Sequence, residues 1–441
     1  MTVNSAWQGE NGALAGSATR RASLDAHDIP AQCPEHSLTA ALELRGTLDE
    51  PGIQVELRRV VARHSALRGP EAELAVPLDR RWTEGETADD RRRGAFASAR
   101  REAHQPFPSG PVPRIRAVVF SFDTDRHLLL VVMDPRVCDA WSANLVVEEL
   151  LDGERHRPAS DHARARASRL EWLTSSEGRA AVAQRESEVR GALRFWPGAR
   201  PSPSTATAPG PAEEVLDLDD ALAKTLKDKI RHIRGSLLAV TAQALALSAG
   251  ATSDPRTPLA LTTTLAARRP DEEGVVGRFS TDGVLVVPPR TGTVKDHLSA
   301  LRREVFTILT EQRVPYDQLE GALQGPLADD GLSFSLLFLP NQLSGGEQNE
   351  RTLAGLEATR VGVSICPTGA DVDLFVVEHP PPLENGHRPL LRIGAMSSRT
   401  SVTRGDLDRI LTNWMTTLRT LADTDWATTR LDRVLEDLPT D

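Results

Sequence analysis

The segment Asp134-Pro135-Arg136-Val137-Cys138-Asp139 holds the side chains best placed for chemistry in this chain. It stands between two apolar patterns. Before it, His127 to Met133 has strand length and β-branched residues near its end. After it, Trp141 and Leu145, Val146 and Leu150, and Val147 and Leu151 pair at i, i+4, which predicts a helix stopped by Gly153. A polar turn between a buried strand and a helix holds functional groups on a rigid scaffold. A carboxylate such as Asp134 could accept a proton there if burial raised its pKa. An Asp before Pro is equally a common turn former. Cys138 is a poorer nucleophile, because the neighbouring anion Asp139 raises a thiol pKa; it reads as a small buried residue.

Other chemistry is sparse. Cys33-Pro34-Glu35-His36 offers one pair of metal ligands with no second pair at useful spacing, so no metal site is expected. Arg91-Arg92-Arg93 reads as a solvated helix face, with a docking patch for an acidic partner as the functional alternative. The chain has no G-x-x-x-x-G-K-[ST], no G-x-G-x-x-G opening a helix and no G-x-S-x-G.

The elements that must position these groups follow from periodicity and breakers. Residues 37–48 and 114–122 read as strands. The turn 123–126 returns the second into His127–Met133 as an antiparallel hairpin. Helices are expected over 51–68, in the second half of 80–104 and over 163–195. A Pro/Ser/Ala linker covers 197–213. Beyond it lie helices over 218–249, a strand at 258–265, a helix at 294–311, strands at 333–339, 372–378 and 390–396, and a helix at 404–422. The expected organisation is α/β: a lead-in 1–36, an N-terminal lobe 37–196, the linker 197–213 and a C-terminal lobe 214–441, with mixed sheets.

Composition bounds the function. The chain has 441 residues, enough for two domains with sizeable cores. Its net charge of −10 argues against a nucleic-acid partner. No apolar run is long enough to span a bilayer. Met1 to Arg20 lacks an apolar core, so no secretion signal is expected. Cys33, Cys138 and Cys366 are odd in number and far apart, which predicts reduced thiols and a cytoplasmic location.

Four segments, in order, resemble the condensation domains of nonribosomal peptide synthetases, within the chloramphenicol-acetyltransferase-like superfamily. Arg63-His64-Ser65-Ala66-Leu67-Arg68 is similar to the family's R-H-x-x-L-R. Met133 to Ser142 lies where the family has M-H-H-x-x-x-D-G-W-S. Val276-Gly277-Arg278-Phe279 followed by Ser280-Thr281 is similar to [IV]-G-x-F-V-N-T, and Val314-Pro315-Tyr316-Asp317 to the P-F-E element. The resemblance covers roughly 37–437. It implies two lobes in a V shape with a tunnel between them, with Cys138, Gly277, Phe279 and Thr281 as tunnel-lining candidates. It also implies that Asp139, Trp141 and Ser142 are structural, that Asp139 pairs with Arg268 or, less favourably, Arg63, and that Arg91, Arg92 and Arg93 are carrier-docking candidates.

The chain departs from the family where the chemistry sits. The second His of the family motif assists the amine that attacks a thioester, a task suited to an imidazole. Here Asp134 and Pro135 replace the two histidines, Ala140 the glycine and Thr281 the asparagine. Proline has no titratable group and no backbone N–H. Asp134 is the remaining candidate for proton transfer.

What the resemblance implies is a free-standing, atypical acyltransferase that joins a carrier-tethered acyl or aminoacyl thioester to an amine or alcohol. The alternative is an inactive module that recruits a carrier protein or tailoring enzyme. Either reading calls for a peptidyl or acyl carrier protein in trans, with its phosphopantetheine arm and no bound cofactor. Another synthetase or tailoring enzyme is a further partner expectation.

Overall fold

The run His127 to Met133 lies at the middle of a six-stranded sheet in a computed structural model. It describes residues 38–68, 76–103, 105, 107, 114–152, 162–197, 212–249, 253–323, 331–339, 351–361, 370–378, 390–397 and 402–436. The lead-in, Cys33 and His36, Cys366, most of the 197–213 linker and the loop bearing Gly345 and Gly346 lie outside the described residues.

The chain begins with β1 (Leu38–Arg45), α1 (Glu50–Arg63), β2 (Leu78–Trp82), α2 (Ala88–Ala103), β3 (Ile115–Ser121), β4 (Arg126–Met133), α3 (Ala140–Asp152), α4 (His162–Thr174) and α5 (Ser176–Val189). It continues through β5 (Trp196–Pro197), β6 (Ala212–Asp217), α6 (Asp220–His232), α7 (Leu237–Ser248), β7 (Leu259–Leu265), β8 (Thr281–Val287) and α8 (Val294–Thr310). The last elements are β9 (Gly331–Leu332), β10 (Phe334–Leu339), β11 (Arg351–Leu353), β12 (Leu356–Val361), β13 (Val372–Glu378), β14 (Leu391–Ser397), α9 (Arg404–Asp423) and α10 (Leu431–Glu436).

The first sheet has the order β11-β12-β1-β4-β3-β2, antiparallel except for the parallel pair β2 and β3. β4 is buried on both faces, and its side chains alternate between two cores as a pleated strand requires. Leu129, Val131 and Met133 join Ile53, Leu57, Val146 and Leu150 of α1 and α3. Leu128, Leu130 and Val132 face Ala95 and Ala99 of α2. The second sheet is β6-β14-β13-β10-β7-β8, with β13, β10 and β7 parallel at its centre. α6, α7, α8 and α9 pack residues such as Leu226, Leu245, Leu298 and Trp414 against it. The architecture is mixed α/β.

Packing divides the chain differently from the expected boundaries. α4 and α5 belong with the second sheet: Trp172, Val182 and Val189 pack on Ala260, Val284 and Val314, and Trp196 enters the core of that half. The first half therefore ends after α3, not at 196. The hairpin β11–β12 crosses the other way. β12 pairs antiparallel with β1 over Ala41–Arg45, and Leu353, Leu356 and Ala358 complete the first core. β1 has an edge to cover, and this hairpin covers it. Its two-residue turn has positive φ at Ala354 (49°) and Gly355 (81°), the geometry that matches strand twist.

One buried titratable group gives the fold a pH dependence. His297 of α8 is 3% exposed and donates from Nε2 to the Pro288 carbonyl (3.1 Å). Burial pushes its imidazole down to about 4; the Pro288 bond opposes this and the Arg290 charge adds to it. Between about pH 6.5 and 4 the unfolded chain binds a proton that the folded chain refuses. Stability is therefore complete above about pH 6.5 and is lost as pH falls toward 4, by on the order of 3 kcal/mol from this group. His297→Gln should flatten that part of a urea-unfolding pH profile; an unchanged slope would refute the assignment.

Candidate functional site

β4 hands over to α3 through the turn Asp134–Val137. The Asp134 amide donates to the Arg114 carbonyl at 2.9 Å, and the amides of Val137 and Cys138 donate to the Asp134 carbonyl at 3.1 Å. Pro135 takes the second turn position, where its fixed φ fits. The Asp134 side chain is fully buried. Its Oδ1 accepts from the Arg136 amide and Nε, both at 2.9 Å. Its Oδ2 accepts from Arg136 Nε (2.9 Å) and Nη2 (2.6 Å) and from Arg114 Nη1 (3.0 Å). A carboxylate offers about four lone-pair sites, and these bonds occupy them. Asp134 is built in as an ion-paired turn former and presents no oxygen to a substrate. This geometry argues against the proton-transfer role expected for it.

Asp139 caps α3 and ties the two halves of the chain together. Its Oδ1 accepts from the Ser142 amide (2.8 Å), Ser142 Oγ (2.8 Å) and Arg268 Nη2 (2.8 Å). Its Oδ2 accepts from the amides of Phe279 (2.9 Å) and Ser280 (3.0 Å). Arg268 also donates to the carbonyls of Glu272 (2.8 Å), Val275 (2.6 Å) and Gly277 (3.1 Å). Ser142 Oγ bonds the Gly277 amide (3.0 Å) and lies 2.7 Å from its carbonyl. Trp141 Nε1 donates to the Glu273 carbonyl at 2.9 Å. Arg268 is thus the guanidinium on Asp139. Gly277 leaves room for its neighbours: a Cβ there would lie 2.2 Å from His162 Cδ2 and 2.8 Å from Phe279 Cε2, so those side chains would have to shift.

Arg63 serves a different anion. His64 Nε2 meets Glu149 Oε1 of α3 at 3.0 Å, both buried, and Arg63 Nη1 meets Oε2 at 3.4 Å. Burial works against the Glu149 charge. The His64 bond and the positive charges of Arg63 and Arg59 outweigh it and hold the carboxyl below its usual range. Cys138 lies in the first core beside Ala143 and Val146, so it packs there rather than facing the cleft. Burial, followed by the Asp139 and Asp134 charges, raises its thiol well above normal. Arg91 donates to the Phe122 carbonyl (2.8 Å), Arg92 pairs with Glu43 and Arg93 with Asp90. These arginines support the first half locally.

Beside the clamp lies an open-mouthed cleft of about 870 Å³, solvent at its mouth included. Arg136, Phe279 and Thr281 reach it from the motif segments, His162, Arg169 and Trp172 from α4, and Arg313 from the segment after α8. Phe279 is held between Arg268 and Arg169, whose guanidinium carbons are 4.4 and 4.6 Å from its ring centre. Arg169 is anchored on the buried Glu272 by bonds of 3.1 and 2.6 Å. Among the described residues no group of three or more His, Cys, Asp or Glu is placed to hold a metal, and no helix is long and apolar enough to cross a membrane.

Several of these groups escape sequence reading: Arg114 and Arg136 on Asp134, Glu149 on His64, Glu272 on Arg169, and the pair Arg313 and Trp172. Only Arg136, two residues after Asp134, carries a local signal, that of an Asx turn.

No family model matches the chain. It is 24% identical over 334 residues to a linear gramicidin synthase protein of Brevibacillus parabrevis, covering 69% of this chain and 4% of that protein. It is 24% identical over 374 residues to chondramide synthase cmdD of Chondromyces crocatus, covering 76% of this chain and 9% of that protein. The chain thus spans less than a tenth of these curated relatives. Among solved structures, the X-domain from teicoplanin biosynthesis matches with a TM-score of 0.73 at 16% identity, over 93% of this chain and 94% of that one. A complex of that X-domain with OxyB matches with a TM-score of 0.71 at 15% identity, over 92% of each chain. The condensation domain from the monacolin K polyketide synthase MokA matches with a TM-score of 0.70 at 16% identity, over 90% and 94%.

Proposed function

We propose, for a chain that has the condensation-domain fold of natural-product synthases, that it is a binding module rather than a condensation catalyst. It would dock a carrier protein or a tailoring enzyme of nonribosomal peptide biosynthesis. One observation carries this reading. The turn where the resembled motif places its histidine offers Pro135, an Asp134 saturated by Arg114 and Arg136, and an Asp139 saturated by the clamp. No group on that turn is free to take a proton from an amine. The relative solved with OxyB supports a recruiting role for this fold.

Positioning alone can accelerate a reaction substantially, and an α-amine with pKa about 8 is partly unprotonated at neutral pH. The cleft beside the turn is where an acyltransferase working that way would hold its substrates. The deciding experiment offers purified protein the phosphopantetheinylated carriers and tailoring enzymes encoded beside its gene. Binding by calorimetry, with no amide or ester product by mass spectrometry, is the expected result. Product above the carrier-only background would overturn the binding-module reading.

A further inference from the structure

Arginines dominate the polar lining of the cleft. Its lining includes Arg136, Arg166, Arg169, Arg278 and Arg313 and no aspartate or glutamate, in a chain whose net charge is −10. Of the nearby carboxylates, Asp134 pairs with Arg136 and Arg114, Glu272 pairs with Arg169 and Arg269, and Glu177 accepts from Trp172 Nε1 at 3.1 Å. Arg313 lies over the Trp172 ring at 3.9 Å. Among the described residues its guanidinium makes no hydrogen bond or ion pair, so its donors remain available. Burial and the positive charges of Arg269 and Arg169 lower its pKa, and the charges of Glu177 and Glu272 oppose this only in part. A bound anion would relieve that crowding. The Thr281 hydroxyl, also on the lining, is shielded from solvent and has no hydrogen-bond partner among the described residues.

We propose that this cleft is an oxyanion site for a phosphate-bearing small molecule with two or more negative charges. Guanidinium forks match phosphate oxygens in bidentate fashion, and stacking on Trp172 holds the Arg313 fork in place. Thr281 Oγ adds a neutral donor. Because Arg136 and Arg169 are already ion-paired, the charge open to a ligand centres on Arg313, whose fork a doubly charged phosphate would engage more strongly than a monocarboxylate. Binding requires no bond to form or break. The site does not depend on carrier docking, so the two readings fail separately.

The test titrates pyrophosphate into the full chain by calorimetry at constant ionic strength set with sodium chloride. Saturable binding of one equivalent is expected. Arg313→Gln should weaken it about tenfold or more, and Thr281→Val should weaken it less. Arg93→Gln, on α2 away from the cleft, should leave it unchanged. Succinate should bind more weakly than pyrophosphate. Absence of saturable heat, equal affinity for succinate, or unchanged affinity in a normally melting Arg313→Gln protein would each overturn the proposal. Thr281→Val, nearly isosteric, carries the test should Arg313→Gln fail to fold; unchanged affinity in that variant would overturn it too.

Discussion

Replacing Asp139 with alanine is expected to lower folding stability by about 3–5 kcal/mol, a large share of the total for a domain. The side chain is 1% exposed and accepts from five donors. Removing it strands the Arg268 guanidinium, on a side chain only 2% exposed, without its counter-charge. It also leaves the amides of Phe279 and Ser280 unsatisfied, each a further desolvation cost. The loss falls on the junction between halves. Asp139 sits at the start of α3 with Ser142, while Arg268, Phe279 and Ser280 lie across the junction. Denaturant titration measures the effect. Arg268→Met should lose a comparable amount, and the double variant less than the sum, because the two act as one unit. Soluble Asp139→Ala protein with wild-type stability would refute the clamp.

The same clamp shows where sequence reading reaches and where it stops. The handover from β4 to α3 is legible because apolar spacing switches at Asp134 from strand to helix repeat. The Asp139–Arg268 bond spans 129 residues; periodicity carries no information at that distance, and only the family resemblance points to it. The β11–β12 hairpin escapes because Ala354 occupies a positive-φ position that usually signals itself by Asn, Asp or Gly. Its first strand has only three residues, Arg351–Leu353. α4 and α5 are legible as helices, but their Ala- and Arg-rich faces do not tell which sheet they cover. The cleft has no linear signature, since its arginines come from four separated segments.

Asp134→Ala and Pro135→His together decide whether the turn is a disabled active site or a rebuilt support. A base removed from a functioning site costs rate and leaves stability nearly intact. Asp134→Ala is instead expected to cost about 3–5 kcal/mol of stability, because Arg114 and Arg136, each 13% exposed at the side chain, would face each other without the carboxylate between them. Pro135→His should fold, since the second position of such a turn tolerates most residues. Were an imidazole the sole missing part, restoring it would recover on the order of 10²–10⁴-fold in rate. The expected result is no product above background. The Asp134 bonds to the Arg136 amide and guanidinium fix the turn whatever residue 135 is, and Ala140 and Thr281 keep their own departures from the motif. Condensation product from Pro135→His, absent from the parent protein, would show instead that the turn still aims residue 135 at a competent site.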